Sequence, residues 1–110
     1  MTQKIKLVQG DTRPQIQVTF TDETTGLPIN ITGAVPRMYF RALGSSETLA
    51  TLTGIVLDGP AGKTVFAWGP TTLNVPAGDY QGELELTFSN GDRQSVYDTV
   101  RFKVREDFSA

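Results

Sequence analysis

The chain has 110 residues, a formal net charge of −2, no Cys and no His. One domain around one core is expected at that length, while a disulfide framework, a thiolate metal site, a Ser-His-Asp triad and most zinc sites are excluded. The charge balance sets up no field for nucleic acid, and no apolar run approaches the ~20 residues of a membrane-spanning helix, so neither partner is expected.

Met1-Thr2-Gln3-Lys4 leads straight into Ile5-Lys6-Leu7, the pattern of a bare domain made in the cytosol without a long apolar leader. Lys4 to Val8 alternates polar and apolar residues, which predicts a short first strand. Gln15 to Phe20 alternates cleanly, with Ile16, Val18 and Phe20 on one face and Gln15, Gln17 and Thr19 on the other. Pro14 fits at the head of that strand, where no ladder donor is needed. Thr21 to Gly26 is a polar turn, and Leu27, Ile29 and Ile31 line one side of a brief extended piece. Ala34 to Leu43 predicts a strand with Met38 and Phe40 on one face and Arg37, Tyr39 and Arg41 on the other.

Gly44-Ser45-Ser46 is a turn. Glu47 to Thr53 fits neither period well, but its β-branched threonines favour strand over helix. Gly54 reads as a bulge before Ile55-Val56-Leu57, and Asp58 to Gly62 as a turn cluster. Lys63 to Trp68 is a strand with Thr64, Phe66 and Trp68 on one face. Trp68 reads as core filler rather than a binding aromatic, because it keeps that alternation. Thr71 to Pro76 is too short for a helix of any length and offers Leu73 as a plug for one end of the core.

Gly78 to Val104 carries the strongest signal, because Asn90-Gly91 separates two alternating apolar runs, as in a β-hairpin. Gly78-Asp79-Tyr80 ahead of it resembles the tyrosine corner of immunoglobulin-like sandwiches, in which a Tyr hydroxyl bonds back to the preceding loop. A two-residue loop would set Leu84 and Leu86 out of phase with Val100, Phe102 and Val104. Either the loop has three or five residues, or a bulge near Asp98 resets the phase. The bulge is preferred, since it keeps the Asp98 carboxylate out of the core.

No segment carries a long helical period, and turns recur at roughly ten-residue spacing. The expectation is an all-β chain: one immunoglobulin-like antiparallel β-sandwich of seven to eight strands over residues 1–110, with flexible ends near 1–4 and 106–110. The expected inward set is Ile16, Val18, Phe20, Ile31, Met38, Phe40, Leu57, Phe66, Trp68, Leu73, Tyr80, Leu84, Leu86, Val100, Phe102 and Val104.

Chemistry is sparse. Ser45-Ser46 has no nearby base, and Glu83 and Glu85 lie two apart on one outward strand face, which is the pattern of a solvated surface rather than an acid-base pair. Asp22-Glu23 and Asp58 sit in turns without calcium-loop spacing. Gly59-Pro60-Ala61-Gly62-Lys63-Thr64 imitates only the tail of a phosphate loop and is followed by a strand. No catalytic, cofactor-binding or metal-ligating residues are expected, and the chain reads as a non-enzyme. The candidate interaction surface is charged: Arg37, Tyr39 and Arg41 on one strand, Glu83 and Glu85 on a second, Arg101 and Lys103 on the last, with Glu83 and Glu85 as cross-strand partners for the basic row.

The run Gln9-Gly10-Asp11-Thr12, then Gly26-Leu27-Pro28-Ile29-Asn30-Ile31-Thr32-Gly33-Ala34 and Val35-Pro36-Arg37-Met38-Tyr39-Phe40-Arg41, resembles the immunoglobulin-like domain at the N-terminus of upper baseplate proteins of tailed bacteriophages. The likeness continues through Asp58 to Gly62, Pro76 to Tyr80 and Asn90-Gly91. It implies a virion structural protein, a tail or baseplate adaptor present in many copies or as a homo-oligomer among other virion proteins. The alternatives are a capsid decoration protein of the same fold, or a carbohydrate-binding sandwich presenting Tyr39 and Tyr97. The chain ends at Ala110 without the further domains often found in that family, which favours a small repeated component over a receptor-binding head.

Overall fold

A computed structural model describes residues 4–96 and 99–109, and in it the period-two segments form strands in two facing sheets. The strands are β1 Lys4–Val8, β2 Ile16–Thr19, β3 Val35–Ala42, β4 Ala50–Thr53, β5 Ile55–Asp58, β6 Lys63–Phe66, β7 Gly78–Thr87, β8 Arg93–Ser95 and β9 Val100–Arg105. The larger sheet has the order β1-β9-β7-β3-β4, and β8 continues the pairing of β7 beyond the end of β9. The smaller sheet is β2-β6-β5. This is an all-β, immunoglobulin-like sandwich. It has nine described strands rather than seven or eight, and one pairing is parallel: β1 runs alongside β9, Lys4 opposite Arg101 through Val8 opposite Arg105.

The core lies between the sheets, built from the inward residues of each strand. Phe40 sits at its centre, stacked on Tyr80 at 5.1 Å and edge-on to Trp68 at 5.4 Å and Phe102 at 5.7 Å. Such aromatic pairs are worth ~0.5–1.5 kcal/mol each beyond the area they bury. Trp68 is core, as its alternation suggested, and its indole Nε1 donates to the Pro14 carbonyl at 2.9 Å. Leu73 closes one end, and its carbonyl accepts from the Gly10 amide. The tyrosine corner is present: the Tyr80 hydroxyl donates to the Pro76 carbonyl, four residues upstream.

Antibody-type domains carry a disulfide Cys two residues after the corner Tyr. That position here is Gly82, where a Cβ would lie 2.7 Å from Met38 Sδ. The Met38 thioether fills the space in place of a disulfide.

Several expectations need correction. Leu57 is 54% exposed, because Val56 pairs with the inward Thr64 of β6 and so takes the inward position itself, while the register shift against β6 comes only after it, between Val56 and Asp58. The bulge thus falls there and not at Gly54, where the chain instead crosses from the large sheet to the small one. Leu27 is exposed, since its segment forms only the Thr21–Pro28 bridge. Val18 and Val100 are half-buried rather than core. Leu7, Ala34 and Leu52 were not expected inside and are buried.

The hairpin parity is set at the turn. Phe88 and Asp92 flank a three-residue loop, Ser89-Asn90-Gly91, closed by Phe88 N to Asp92 O and Gly91 N to Phe88 O. Gly91 has φ 93°, the left-handed residue of a type I turn with a glycine bulge. Glu85 then faces Ser95, whereas Gly82 faces Val100, so the returning chain gains two residues on β7 between those pairs. An even gain leaves the faces unchanged. Phase is therefore reset by the odd loop, and the preferred bulge at Asp98 lies outside the described residues.

Candidate functional site: the outward face of the large sheet

Alternation in β3, β7 and β9 sends every second side chain away from the core, onto one open face. All seven sequence-selected residues lie there: Arg37, Tyr39 and Arg41 on β3, Glu83 and Glu85 on β7, Arg101 and Lys103 on β9. Tyr39 is opposite Glu83, and Arg37 is opposite Glu85. The β9 cations do not pair with Glu83 and Glu85 as expected. Arg101 faces Gln81 and Lys103 faces Asp79, because β9 covers only the first half of β7.

Neighbouring strands enlarge the face. β1 adds Lys4 and Lys6, opposite Arg101 and Lys103. β8 adds Arg93, opposite Thr87. Arg105 continues the β9 column. Eight of the ten Lys and Arg thus share this face with Asp79, Glu83 and Glu85 as the only carboxylates on β1, β3, β7, β8 and β9 among the described residues. The remaining two cations are Arg13 and Lys63. The face is basic although the whole chain carries −2. Sequence reasoning missed Lys4, Lys6, Asp79 and Arg93. The lysine signal was present, in phase opposition to Ile5 and Leu7. The phase of Arg93 depends on the turn length, which Asn-Gly alone left open.

Four of the eight cationic heads, all arginines, are held by neutral acceptors. Arg37 Nη1 donates to Thr87 Oγ1, Arg41 Nη2 to Thr48 Oγ1 and Arg101 Nε to Thr99 Oγ1, each at 3.2 Å. Arg105 Nη1 donates to the Glu106 carbonyl at 2.7 Å, and its guanidinium lies 4.6 Å over the Phe108 ring. These contacts orient the groups without neutralising them. Asp79 is the exception. Lys4 Nζ lies 3.0 Å and Lys103 Nζ 3.9 Å from its Oδ1. The hydrogen bond from Lys4, aided by the Lys103 charge, holds the Asp79 carboxyl below its ordinary pKa. Tyr39 donates to Glu85 Oε1 at 2.8 Å, and that bond to an anion raises the phenol pKa. Tyr39 is thereby committed to the sheet, and Tyr97 lies outside the described residues.

The other sequence candidates support turns. Ser45 Oγ accepts from the Glu47 amide, Asp22 from the amides of Thr24 and Thr25, and Asp58 from that of Ala61. An open groove of about 550 Å³ beside Gln9, Asn74 and Pro76 includes Asp107, whose carboxylate is engaged by Ser109.

No family model matches the chain, and no curated protein matches it. Among solved structures it is similar to selenomethionine PcoC, a copper resistance protein from Escherichia coli, at 20% identity over 94% of this chain and 92% of that one, with a TM-score of 0.41. The likeness is one of fold. The virion structural function implied by the baseplate resemblance, with its capsid-decoration and host-adsorption alternatives, is corrected here: the similar structure is a copper resistance protein, and no family model or curated protein match supports a virion role.

Proposed function

We propose that this chain is a non-enzymatic binding module whose working surface is the outward face of the large sheet, and that its partner is an acidic protein. The observation that carries this is the gathering of eight of ten cations on one face of a net-negative chain, four of them oriented by uncharged acceptors. Such a field steers an acidic partner and sets its orientation. Nucleic acid fits less well. Acidic residues dominate the rest of the chain, Asp79, Glu83 and Glu85 interrupt the basic rows, and the Tyr39 ring is tied to Glu85 rather than free for base stacking. The absence of His and Cys supports the non-enzymatic reading.

The copper chemistry of the structural neighbour does not fit the residues present. Copper sites draw on imidazole, thiolate and thioether donors. This chain has no His and no Cys, and of its two Met, Met1 lies outside the described residues and the thioether of Met38 is fully buried against Gly82.

The test is fluorescence anisotropy with labelled poly-glutamate. Binding is expected at ~50 mM salt and is expected to weaken at ~200 mM, as screening shortens the reach of exposed charges. Reversing Lys4, Arg101 and Lys103 to Glu should abolish it, while reversing Arg13 and Lys63, the two cations off the face, should leave it unchanged. Equal losses from both sets, or tighter binding of a single-stranded oligonucleotide than of poly-glutamate, would overturn the proposal.

A further inference from the structure

The large sheet ends at β1, whose far edge is covered by no strand among the described residues. An uncovered edge offers a row of main-chain donors and acceptors to any extended chain, and side-chain pattern decides which chain is admitted. In β1 the pattern is strict. Lys4 and Lys6 point outward and are exposed, while Ile5 is half-buried and Leu7 is 2% exposed on the inward side.

Two consequences follow. A second copy of β1 added antiparallel would bring its own Lys4 and Lys6 against these lysines, and like charges directly opposite are destabilising. The edge therefore rejects its own kind. Conversely, a strand with carboxylates on one face would meet Lys4 and Lys6 at matching intervals, because same-face side chains on any strand recur every ~6.6–6.8 Å. Its other face would extend the apolar row of Ile5 and Leu7. Lys4 already shows the reach required: its ammonium lies 3.0 Å from the Asp79 carboxylate, two strands away across the face.

The geometry points to β1 as the docking edge for an extended segment of alternating acidic and apolar residues, added as a further strand of the large sheet. This rests on the basic-face reading and names how the acidic partner engages it. The opposite end of the sandwich lacks the pattern. β5, the edge of the small sheet, exposes Ile55 at 64% and Leu57 at 54% beside Asp58 and has no lysine. An acidic strand gains no charge pairing there.

The probe is a synthetic peptide of alternating Glu and Val, titrated into the full 110-residue chain and followed by anisotropy and by amide hydrogen exchange of β1. A block peptide of the same composition and an alternating peptide N-methylated at every second residue are the comparisons. The alternating peptide should bind at least about tenfold more tightly than either, and amides in Lys4–Val8 should gain protection. Lys4→Glu with Lys6→Glu should reduce its binding by about tenfold or more. Equal binding of the block or N-methylated peptide would overturn strand addition and leave the basic face standing as a purely electrostatic surface. Protection on β5 instead of β1 would also overturn it. If no Glu peptide binds, the basic-face reading fails as well.

Discussion

The two faces of the large sheet are made by the same strands and obey different rules. Along β3, Pro36, Met38 and Phe40 point in, and Arg37, Tyr39 and Arg41 point out. Along β7, Tyr80, Gly82, Leu84 and Leu86 alternate with Asp79, Gln81, Glu83 and Glu85. The inner face is defined by shape, in that the Met38 thioether fits because position 82 has no Cβ. The outer face is defined by charge, held in place by hydroxyls and carbonyls. Inner substitutions should change stability, and outer ones should change binding while leaving the fold intact.

The largest effect is expected at the aromatic centre. Phe40→Ala removes contacts with Trp68, Tyr80 and Phe102 and should lower unfolding free energy in urea by ~3–5 kcal/mol. A loss under ~1 kcal/mol would show that the site collapses freely. Gly82→Ala drives a methyl into Met38, and overpacking of this kind costs ~1–3 kcal/mol. A neutral outcome there would mean that Met38 has a second rotamer available.

Tyr80→Phe deletes the corner hydrogen bond to Pro76 and should cost ~1 kcal/mol. Burial raises the Tyr80 pKa. The folded state therefore holds the phenolic proton more tightly than the unfolded state does. The stability from this group is complete below ~10, the unfolded value, and is lost as pH rises through the higher folded value. The gap in stability between the native chain and Tyr80→Phe should accordingly narrow in strong base. A gap that widened there would contradict the burial of the hydroxyl.

On the outer face, Arg101→Ser should stay within ~0.5 kcal/mol of the native stability. Asp79→Asn should have a small effect with a pH signature. Because Lys4 holds the Asp79 carboxyl below its ordinary value, its contribution is complete above ~3.9 and is lost as pH falls through the lower folded value. The difference in melting temperature between the native chain and Asp79→Asn should vanish in acid. A difference that persists at low pH would point to packing rather than charge.

The contrast between the faces also explains what the sequence disclosed. Inward residues were legible wherever strict alternation met an uninterrupted ladder, as for Phe40, Phe66, Leu84 and Phe102, because burial and period reinforce each other. Leu57 was misread because the phase of β5 is set by Val56 meeting the inward Thr64 of β6, and that cross-strand register leaves no local marker in a run of three apolar residues. The seven surface candidates were placed on the correct side, but their partners were not. Which cation meets which carboxylate depends on where β9 ends along β7 and on β1 running parallel beside it, and strand order leaves no trace in local periodicity. Lys4 and Lys6 were visible as alternation, and only the topology joins them to Arg101 and Lys103.

The central claim is that the outer face of the large sheet, and no other surface, meets the acidic partner. Titrating unlabelled poly-glutamate into the 15N-labelled chain and following backbone amide shifts tests it directly. Shifts concentrated in Lys4–Val8 and Val100–Arg105, falling away with added salt, are the predicted result. Shifts confined to β2, β5 and β6, or none on either sheet, would contradict it.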